Sequence, residues 1–201
     1  MNNLGIKIYS DGADASEIIM MDAEDKVDGF TTNPTLMKKA GVTDYLGFAQ
    51  EVLSSVKNKS ISFEVFSDDL DEMYNQALLL RDLGDNVWVK IPISNTKGVM
   101  TYDLINKLSN EGVKTNVTAI FTKEQIQKVY ENLNPNINSI ISIFAGRIAN
   151  AGIDPEPTMK FASELCKDNN LIETLWASSR EVFNIIQAVR TETDIITLTP
   201  S

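Results

Sequence analysis

Short runs of β-branched and apolar residues alternate along the chain with longer stretches in which apolar residues recur at helical spacing. In residues 70–84, for example, Met73, Ala77, Leu80 and Leu83 fall on one helical face. Eight short runs predict β-strands. These strands are predicted over residues 6–11, 29–33, 60–65, 87–93, 113–121, 139–145, 174–179 and 194–200.

Regular alternation of strands and helices predicts an α/β fold, a parallel (β/α)8 TIM barrel. The chain has 201 residues, fewer than the roughly 250 typical of that fold, so its loops are expected to be short. A doubly wound open sheet is the alternative, but no glycine-rich phosphate loop follows the first run, as a nucleotide-binding fold would require. The length suits one domain, and we expect residues 1–201 to form a single catalytic domain.

The overall charge and the apolar content limit the possible partners. A formal net charge of −10 would repel a phosphodiester backbone, so no nucleic-acid partner is expected. No segment approaches the roughly 18 unbroken apolar residues of a membrane span, and residues 1–12 lack the features of a signal peptide. The lone Cys166 excludes an internal disulfide and is expected to pack inertly on a helix. We therefore expect a cytoplasmic protein with no membrane partner.

Histidine is absent from the sequence. This excludes Ser/His/Asp and Cys/His triads, histidine-rich zinc sites and imidazole acid/base catalysis. Proton transfer must then depend on carboxylates, lysine, tyrosine or water. The chain offers no obvious metal-ligand cluster, and we expect neither a metal nor a cofactor.

Polar residues stand at the ends of nearly all the predicted strands. In a parallel barrel the carboxyl ends of the strands carry the functional site, so these residues are candidates for it. The period of two along a strand puts Asn116 with Thr118, Ser142 with Phe144, and Trp176 with Ser178 and Arg180 on common faces. If those faces point inward, the side chains share one pocket. The polar strand ends are Asp11, Asn33, Glu64, Lys90, Asn116, Thr118, Ser142, Ser178 and Arg180.

For some polar residues at or near strand ends, a structural role is as good an explanation as a functional one. A polar residue at a strand end often serves only as a helix cap or a turn residue, and this applies to Asp11, Thr122 and Ser178 taken singly. Lys90 lies in the apolar run VWVKIPI, where a buried ammonium ion is costly unless it is paired or neutralised. Glu64 is also flanked by apolar residues, so a salt bridge between Glu64 and Lys90 without catalytic purpose is the alternative to a reactive amine.

Five motifs in register over nearly the whole chain resemble the transaldolase family, particularly its short single-domain members, which include the fructose-6-phosphate aldolase type. The motifs are FTTNPT (30–35), VWVKIPIS (87–94), TNVTAIFT (115–122), SIFAGRI (142–148) and WASSR (176–180). The resemblance implies a class I mechanism in the pentose phosphate pathway. A lysine forms a Schiff base with a ketose phosphate, sedoheptulose 7-phosphate or fructose 6-phosphate, and a dihydroxyacetone unit passes to an aldose phosphate. Burial favours the neutral amine that such an attack needs.

The resemblance also implies a role for each site residue. Lys90 forms the Schiff base, Asp11 exchanges the proton of the C4 hydroxyl, and Glu64 and Thr118 surround the water of carbinolamine dehydration. The residues expected to hold or enclose the substrate are Thr31, Asn33, Asn116 and Ser142 at its hydroxyls, Phe144 at the wall, and Arg147, Ser178 and Arg180 at the phosphate. Guanidinium groups suit a phosphate because they donate paired hydrogen bonds.

Glu64 favours a transaldolase, because relatives of the aldolase type have Gln at this strand end. Cleavage of the fructose-6-phosphate aldolase type and a non-catalytic sugar-phosphate-binding protein are the alternatives. Two departures from the family pattern stand out. SDGAD follows the first strand where Thr or Ser usually comes straight after the aspartate, and the sequence stops at TLTPS, so the barrel is expected to lack the closing C-terminal helix. A homo-oligomer is expected from the family.

Overall fold

The computed structural model describes residues 4–200, in which eight strands form one closed parallel sheet in chain order. Closure is direct, because Lys7 of the first strand is in register with Ile195 of the last. This confirms the (β/α)8 barrel and excludes the open sheet. The strands are β1 (Lys7–Asp11), β2 (Gly29–Thr31), β3 (Ser60–Glu64), β4 (Val87–Pro92), β5 (Thr115–Ile120), β6 (Ser139–Ile143), β7 (Ile172–Trp176) and β8 (Ile195–Leu198).

Helices connect the strands, and two helices follow each of β2 and β6. None of the helices in residues 4–200 is long and apolar enough to cross a bilayer. The helices are α1 (Ala15–Ala23), α2 (Pro34–Lys39), α3 (Tyr45–Ser55), α4 (Leu70–Arg81), α5 (Tyr102–Asn110), α6 (Lys123–Asn132), α7 (Ala145–Asn150), α8 (Glu156–Cys166) and α9 (Phe183–Arg190).

The helices that could be predicted from spacing form where expected. Helix α4 buries Met73, Ala77 and Leu80, although it ends before Leu83. Thr122 caps α6, and its hydroxyl oxygen accepts a hydrogen bond from the Gln125 amide at 3.2 Å in a complete capping box. Cys166 is buried at the end of α8, and this burial raises the pKa of its thiol to about 12. A thiol in such surroundings stays protonated, which agrees with the packing role.

The interior of the barrel has an apolar floor beneath a polar layer. Tyr9, Ile140, Leu175 and Ile195 form a buried cluster of their own, separate from the larger apolar layer that includes the buried faces of the helices. The Tyr9 hydroxyl lies 2.6 Å from Ser60 Oγ, so the phenol has a partner. Ala177, just beyond β7, belongs to the same cluster and also lines the cavity at the carboxyl ends of the strands, so the cluster reaches up to the polar side chains there.

The seventh strand corrects one prediction of side-chain direction. Trp176 belongs to the outer apolar layer, whereas Leu175 belongs to the inner cluster. The strand ends at Trp176, so the period of two does not continue to Ser178 and Arg180. These two residues therefore do not share a strand face with Trp176, and the loop after β7 decides where they point.

Candidate active site

The carboxyl ends of the strands enclose a cavity of about 460 Å³. Eleven of the twelve residues expected at the site line this cavity; the exception is Asn116. The eleven are Asp11, Thr31, Asn33, Glu64, Lys90, Thr118, Ser142, Phe144, Arg147, Ser178 and Arg180.

Lys90 points into the barrel, with its side chain only 9% exposed. Its Nζ donates a hydrogen bond to the carbonyl oxygen of Thr32 at 2.9 Å and lies 3.4 Å from Glu64 Oε2. The register of β3 and β4 produces this pair, because Glu64 and Lys90 are aligned across the two strands. The amine is therefore at the cavity wall, shielded from bulk water and beside a carboxyl group.

Glu64 has an unusual electrostatic environment for a carboxyl group. Burial raises its pKa above the ordinary value; Lys90 opposes this increase, and the nearby charge of Asp11 adds to it. The hydroxyl of Tyr45 donates to the main-chain oxygen of Glu64 at 2.8 Å, which holds the end of β3 in place. Glu64 thus retains a proton at higher pH than an exposed glutamate would, which suits a group that gives and takes protons.

Asp11 is oriented by hydrogen bonds to both of its carboxylate oxygens. Thr31 Oγ1 donates to Oδ1 at 2.9 Å, and Asn33 Nδ2 donates to Oδ2 at 3.2 Å. Asn33 is in turn held because its side-chain oxygen caps α2 through the amide of Leu36 at 2.9 Å. The unusual residues that follow Asp11 in the sequence therefore leave its carboxylate firmly positioned, with the support coming from Thr31 of β2 and from Asn33 at the start of α2.

The fifth strand places its two polar residues differently. Thr118 lines the cavity, and its hydroxyl has no hydrogen-bond partner within residues 4–200. Asn116 is completely buried beneath the cavity, where its amide nitrogen donates to Ser62 Oγ at 2.9 Å. After Thr118 the strand is irregular, with Ala119 at φ +60° and a register shift against β6. The structure thus does not bring Asn116 to the cavity, while Thr118 lies in the cavity wall with a buried, unpartnered hydroxyl.

Two arginines stand together at one side of the cavity. The guanidinium carbon of Arg147 lies 4.9 Å from the centre of the Phe144 ring, and this contact steadies the Arg147 side chain. When the side-chain amide of Asn150 is oriented to suit its neighbours, its oxygen accepts from Arg180 Nε at 3.3 Å and its nitrogen donates to the Gly146 carbonyl at 3.2 Å. Asn150 therefore links Arg180 to the helix that carries Arg147.

The loop with Ser178 and Arg180 packs tightly on the start of α7. Gly146 donates its amide hydrogen to the Ala177 carbonyl at 3.3 Å, and a β-carbon at Gly146 would overlap the carbonyl oxygen of Ser178. Ser178 itself has φ +64°, in the left-handed region. The missing side chain at Gly146 lets the loop approach helix α7, and this approach places both arginines on one cavity.

Sequence comparisons identify relatives over nearly the whole chain. A family model described as "Transaldolase/Fructose-6-phosphate aldolase" matches residues 8–201. A protein named "Probable transaldolase" from Novosphingobium aromaticivorans is 33% identical over 198 residues, covering 98% of this chain and 86% of that protein. A protein of the same name from Nitrosopumilus maritimus is 30% identical over 202 residues, covering 97% and 84%. The chain belongs to the transaldolase/fructose-6-phosphate aldolase family.

Solved structures with little sequence similarity share the barrel of this transaldolase-family chain. A candidate lyase/mutase from Burkholderia cenocepacia superposes with a TM-score of 0.69 at 9% identity, covering 96% of this chain and 76% of that one. A candidate fructose-1,6-bisphosphate aldolase from Coccidioides immitis gives a TM-score of 0.60 at 10% identity, covering 98% and 77%. At these identities the likeness concerns the fold alone.

Several cavity residues of this family member were missed by sequence reasoning. Thr197 and Thr199 line the cavity, and the rule that selects polar residues at strand ends would have found them in the eighth run. Two other contributors to the site leave no comparable signal in the sequence. The Thr32 carbonyl bonds Lys90 through the main chain, and Gly146 acts by lacking a side chain.

Proposed function

We propose that this chain is a transaldolase. In this proposal it transfers a dihydroxyacetone unit from sedoheptulose 7-phosphate or fructose 6-phosphate to an aldose phosphate, through a Schiff base on Lys90. The observation that carries the proposal is the buried Lys90 amine 3.4 Å from the Glu64 carboxyl at the wall of the cavity. Family membership over residues 8–201 supports the same chemistry.

The first stage joins the ketose to Lys90. The neutral amine attacks the C2 carbonyl, and the resulting carbinolamine loses its hydroxyl as water to give the iminium ion. Glu64 is the nearest carboxyl to the amine and supplies the proton that this hydroxyl needs to leave. Thr118 lines the cavity, and its buried hydroxyl has no hydrogen-bond partner within residues 4–200; in this proposal it turns toward the departing water and holds it by a hydrogen bond.

The second stage breaks the carbon chain of the substrate. The Asp11 carboxylate takes the proton of the C4 hydroxyl, the freed electron pair forms the aldehyde C=O, and the C3–C4 bond breaks. The electron pair of that bond moves to C2–C3, giving an enamine and neutralising the iminium nitrogen. When an acceptor aldose binds, the same steps run in reverse, and Asp11 returns its proton to the new hydroxyl. Thr31 and Asn33 orient Asp11 for both directions.

Arg147 and Arg180 hold the phosphate in this proposal. Both guanidinium groups line the same cavity as Lys90, and a guanidinium group can donate two parallel hydrogen bonds to phosphate oxygens. The chain carries a net charge of −10, so an anionic substrate needs local cations of this kind.

Reductive trapping tests the proposal. The protein is incubated with fructose 6-phosphate, reduced with borohydride and digested, and the peptide containing Lys90 is expected to gain the mass of the reduced dihydroxyacetone unit or ketose. Lys90→Met should abolish this adduct, whereas Lys128→Met, on an exposed lysine of α6 that pairs with Glu131, should leave it intact. Substrate binding without any adduct on Lys90 would contradict the mechanism and indicate a binding protein.

A second assay separates transfer from simple cleavage. With fructose 6-phosphate as donor, a transaldolase releases little glyceraldehyde 3-phosphate until erythrose 4-phosphate is added as acceptor. Equal turnover with and without the acceptor would contradict the transaldolase assignment and support the aldolase alternative.

A further inference from the structure

Three side chains from three strands form a directed chain of hydrogen bonds at the cavity wall. Thr31 Oγ1 lies 2.9 Å from Asp11 Oδ1 and 2.7 Å from Thr197 Oγ1. A threonine hydroxyl has a single hydrogen to donate, and an ionised carboxylate can only accept. Because Thr31 gives its hydrogen to Asp11, Thr197 must give its own hydrogen to Thr31. The donors therefore run in one direction, from Thr197 through Thr31 to Asp11.

Thr197 is itself held firmly. It lies on β8 with only 6% of its surface exposed, and Thr31 on β2 has 2% exposed. On the main-chain side, the Thr197 carbonyl accepts a hydrogen bond from Ser179 Oγ at 2.9 Å. Ser179 belongs to the loop that also carries Arg180, so Thr197 connects the carboxylate side of the cavity to the arginine side.

We propose that Thr197 is a positioning residue for the cleavage step, an inference that rests on the proposed transaldolase function. Because Thr197 donates its hydrogen to the Thr31 oxygen, the hydrogen of the Thr31 hydroxyl stays directed at Asp11 Oδ1. Bonds arranged in such a chain strengthen one another. Without the Thr197 hydroxyl, the Thr31 hydroxyl is free to rotate, and Asp11 loses the shortest of the bonds that aim it at the C4 hydroxyl, keeping only the longer contacts with Asn33 Nδ2 at 3.2 and 3.4 Å.

The proposed role of Thr197 concerns only the second stage of the reaction, the cleavage of the carbon–carbon bond. Schiff-base formation takes place at Lys90 and Glu64 and needs no contribution from the Thr197 chain. Carbon–carbon cleavage depends on the orientation of Asp11. A defect in Thr197 should therefore slow cleavage and leave the formation of the Lys90 adduct unchanged.

Two variants of Thr197 test this division. Thr197→Val keeps the shape and removes the hydroxyl, and it should lower kcat about tenfold, the effect of losing roughly one hydrogen bond to a charged group. KM for fructose 6-phosphate and the rate of borohydride-trapped adduct formation should stay within about twofold of the wild-type values. Thr197→Ser restores the hydroxyl and should recover most of the lost kcat.

The chain offers a matched control. Thr191 and Thr193 share a buried hydroxyl–hydroxyl hydrogen bond of 2.8 Å, and neither residue lines the cavity. Thr193→Val removes a bond of the same kind away from the site and should leave kcat unchanged.

The outcomes that overturn the inference are distinct. Wild-type kcat in Thr197→Val would show that the hydroxyl positions nothing. An equal fall in adduct formation and kcat, or an equal loss in Thr193→Val, would show a purely structural role. If the wild-type protein never forms an adduct on Lys90, the proposed function fails, and the role of Thr197 in cleavage fails with it.

Discussion

Lys90 and Glu64 occupy aligned positions on neighbouring strands, with the amine 3.4 Å from a carboxyl oxygen inside the barrel. Removing two such groups from water is costly, and apolar residues of similar volume are often as stable in the same place or more so. Stability alone gives little reason for the pair. Its position on a cavity that also contains Asp11 and two arginines favours the reactive amine over the purely structural salt bridge.

Replacing Glu64 by Gln should change how stability depends on pH. The pKa of this carboxyl in the folded protein is raised above its ordinary value near 4.5, chiefly by burial, so the folded state binds the proton more tightly than the unfolded state. Its contribution to stability is complete below the unfolded pKa and is lost as pH rises through the folded pKa. The unfolding free energy of the wild type relative to Glu64→Gln should therefore fall as pH rises from about 4.5.

Denaturant unfolding of the wild type and of Glu64→Gln, at pH values from about 4.5 upward, measures this difference in unfolding free energy. Curves that stay parallel at all pH values would contradict a raised pKa at Glu64. In the same variant, the borohydride-trapped adduct on Lys90 should form about 100-fold more slowly, because the proton donor for dehydration is gone.

Thr118→Val should slow adduct formation without lowering the stability of the fold. The Thr118 hydroxyl is buried and has no partner within residues 4–200, so a methyl group in its place should leave the unfolding free energy unchanged or raise it. The rate of adduct formation should nevertheless fall about tenfold, because the departing water loses a hydrogen bond. A destabilised variant with normal adduct formation would assign Thr118 a packing role instead.

Gly146→Ala should displace the loop that carries Arg180 at the cavity. The added β-carbon would overlap the Ser178 carbonyl, and relieving this overlap requires the loop with Arg180 to move. We expect a loss of about 1–3 kcal/mol in unfolding free energy together with a raised KM for fructose 6-phosphate. Gly84→Ala is the control, because the nearest atom to its β-carbon is a side-chain oxygen, Asn86 Oδ1 at 3.1 Å, and no main-chain atom overlaps it. An unchanged KM in Gly146→Ala would show that the close approach does not position Arg180.

Arg180→Met should weaken binding of phosphorylated substrates selectively. Losing a charge-assisted contact with phosphate should raise KM for fructose 6-phosphate about 10- to 100-fold, while adduct formation from unphosphorylated dihydroxyacetone should be unaffected. Arg190→Met makes the same change in charge at a residue that pairs with Glu156 outside the cavity, and it should leave KM unchanged. An equal loss for both substrates would contradict a phosphate contact at Arg180.

Local pattern was sufficient for several site residues that lie within strands. Glu64 and Lys90 could be predicted from their polar character within apolar runs, because every second side chain of a barrel strand faces the interior. The prediction was wrong where the strand ended early. Trp176 faces the outer layer, and the chain beyond it takes a left-handed turn at Ser178, which no period of two anticipates.

Asn116 illustrates a second limit of the pattern. It faces the interior as expected, yet its depth along the strand puts it below the cavity and against Ser62. Alternation along a strand predicts the side to which a residue points, but the height of a residue in the barrel depends on how all the strands are staggered.

By itself the sequence determined the alternation of strands and helices, the barrel class and the set of polar strand ends, because these depend on local side-chain chemistry and on the periods of helix and strand. Only the tertiary structure decided which of those ends meet. The contact between Thr31 and Thr197 joins residues 166 positions apart, and it exists because β8 closes against β1. Likewise, the shared site of the two arginines depends on the close approach at Gly146, since distances between separate elements are set by packing and not by neighbours in the chain.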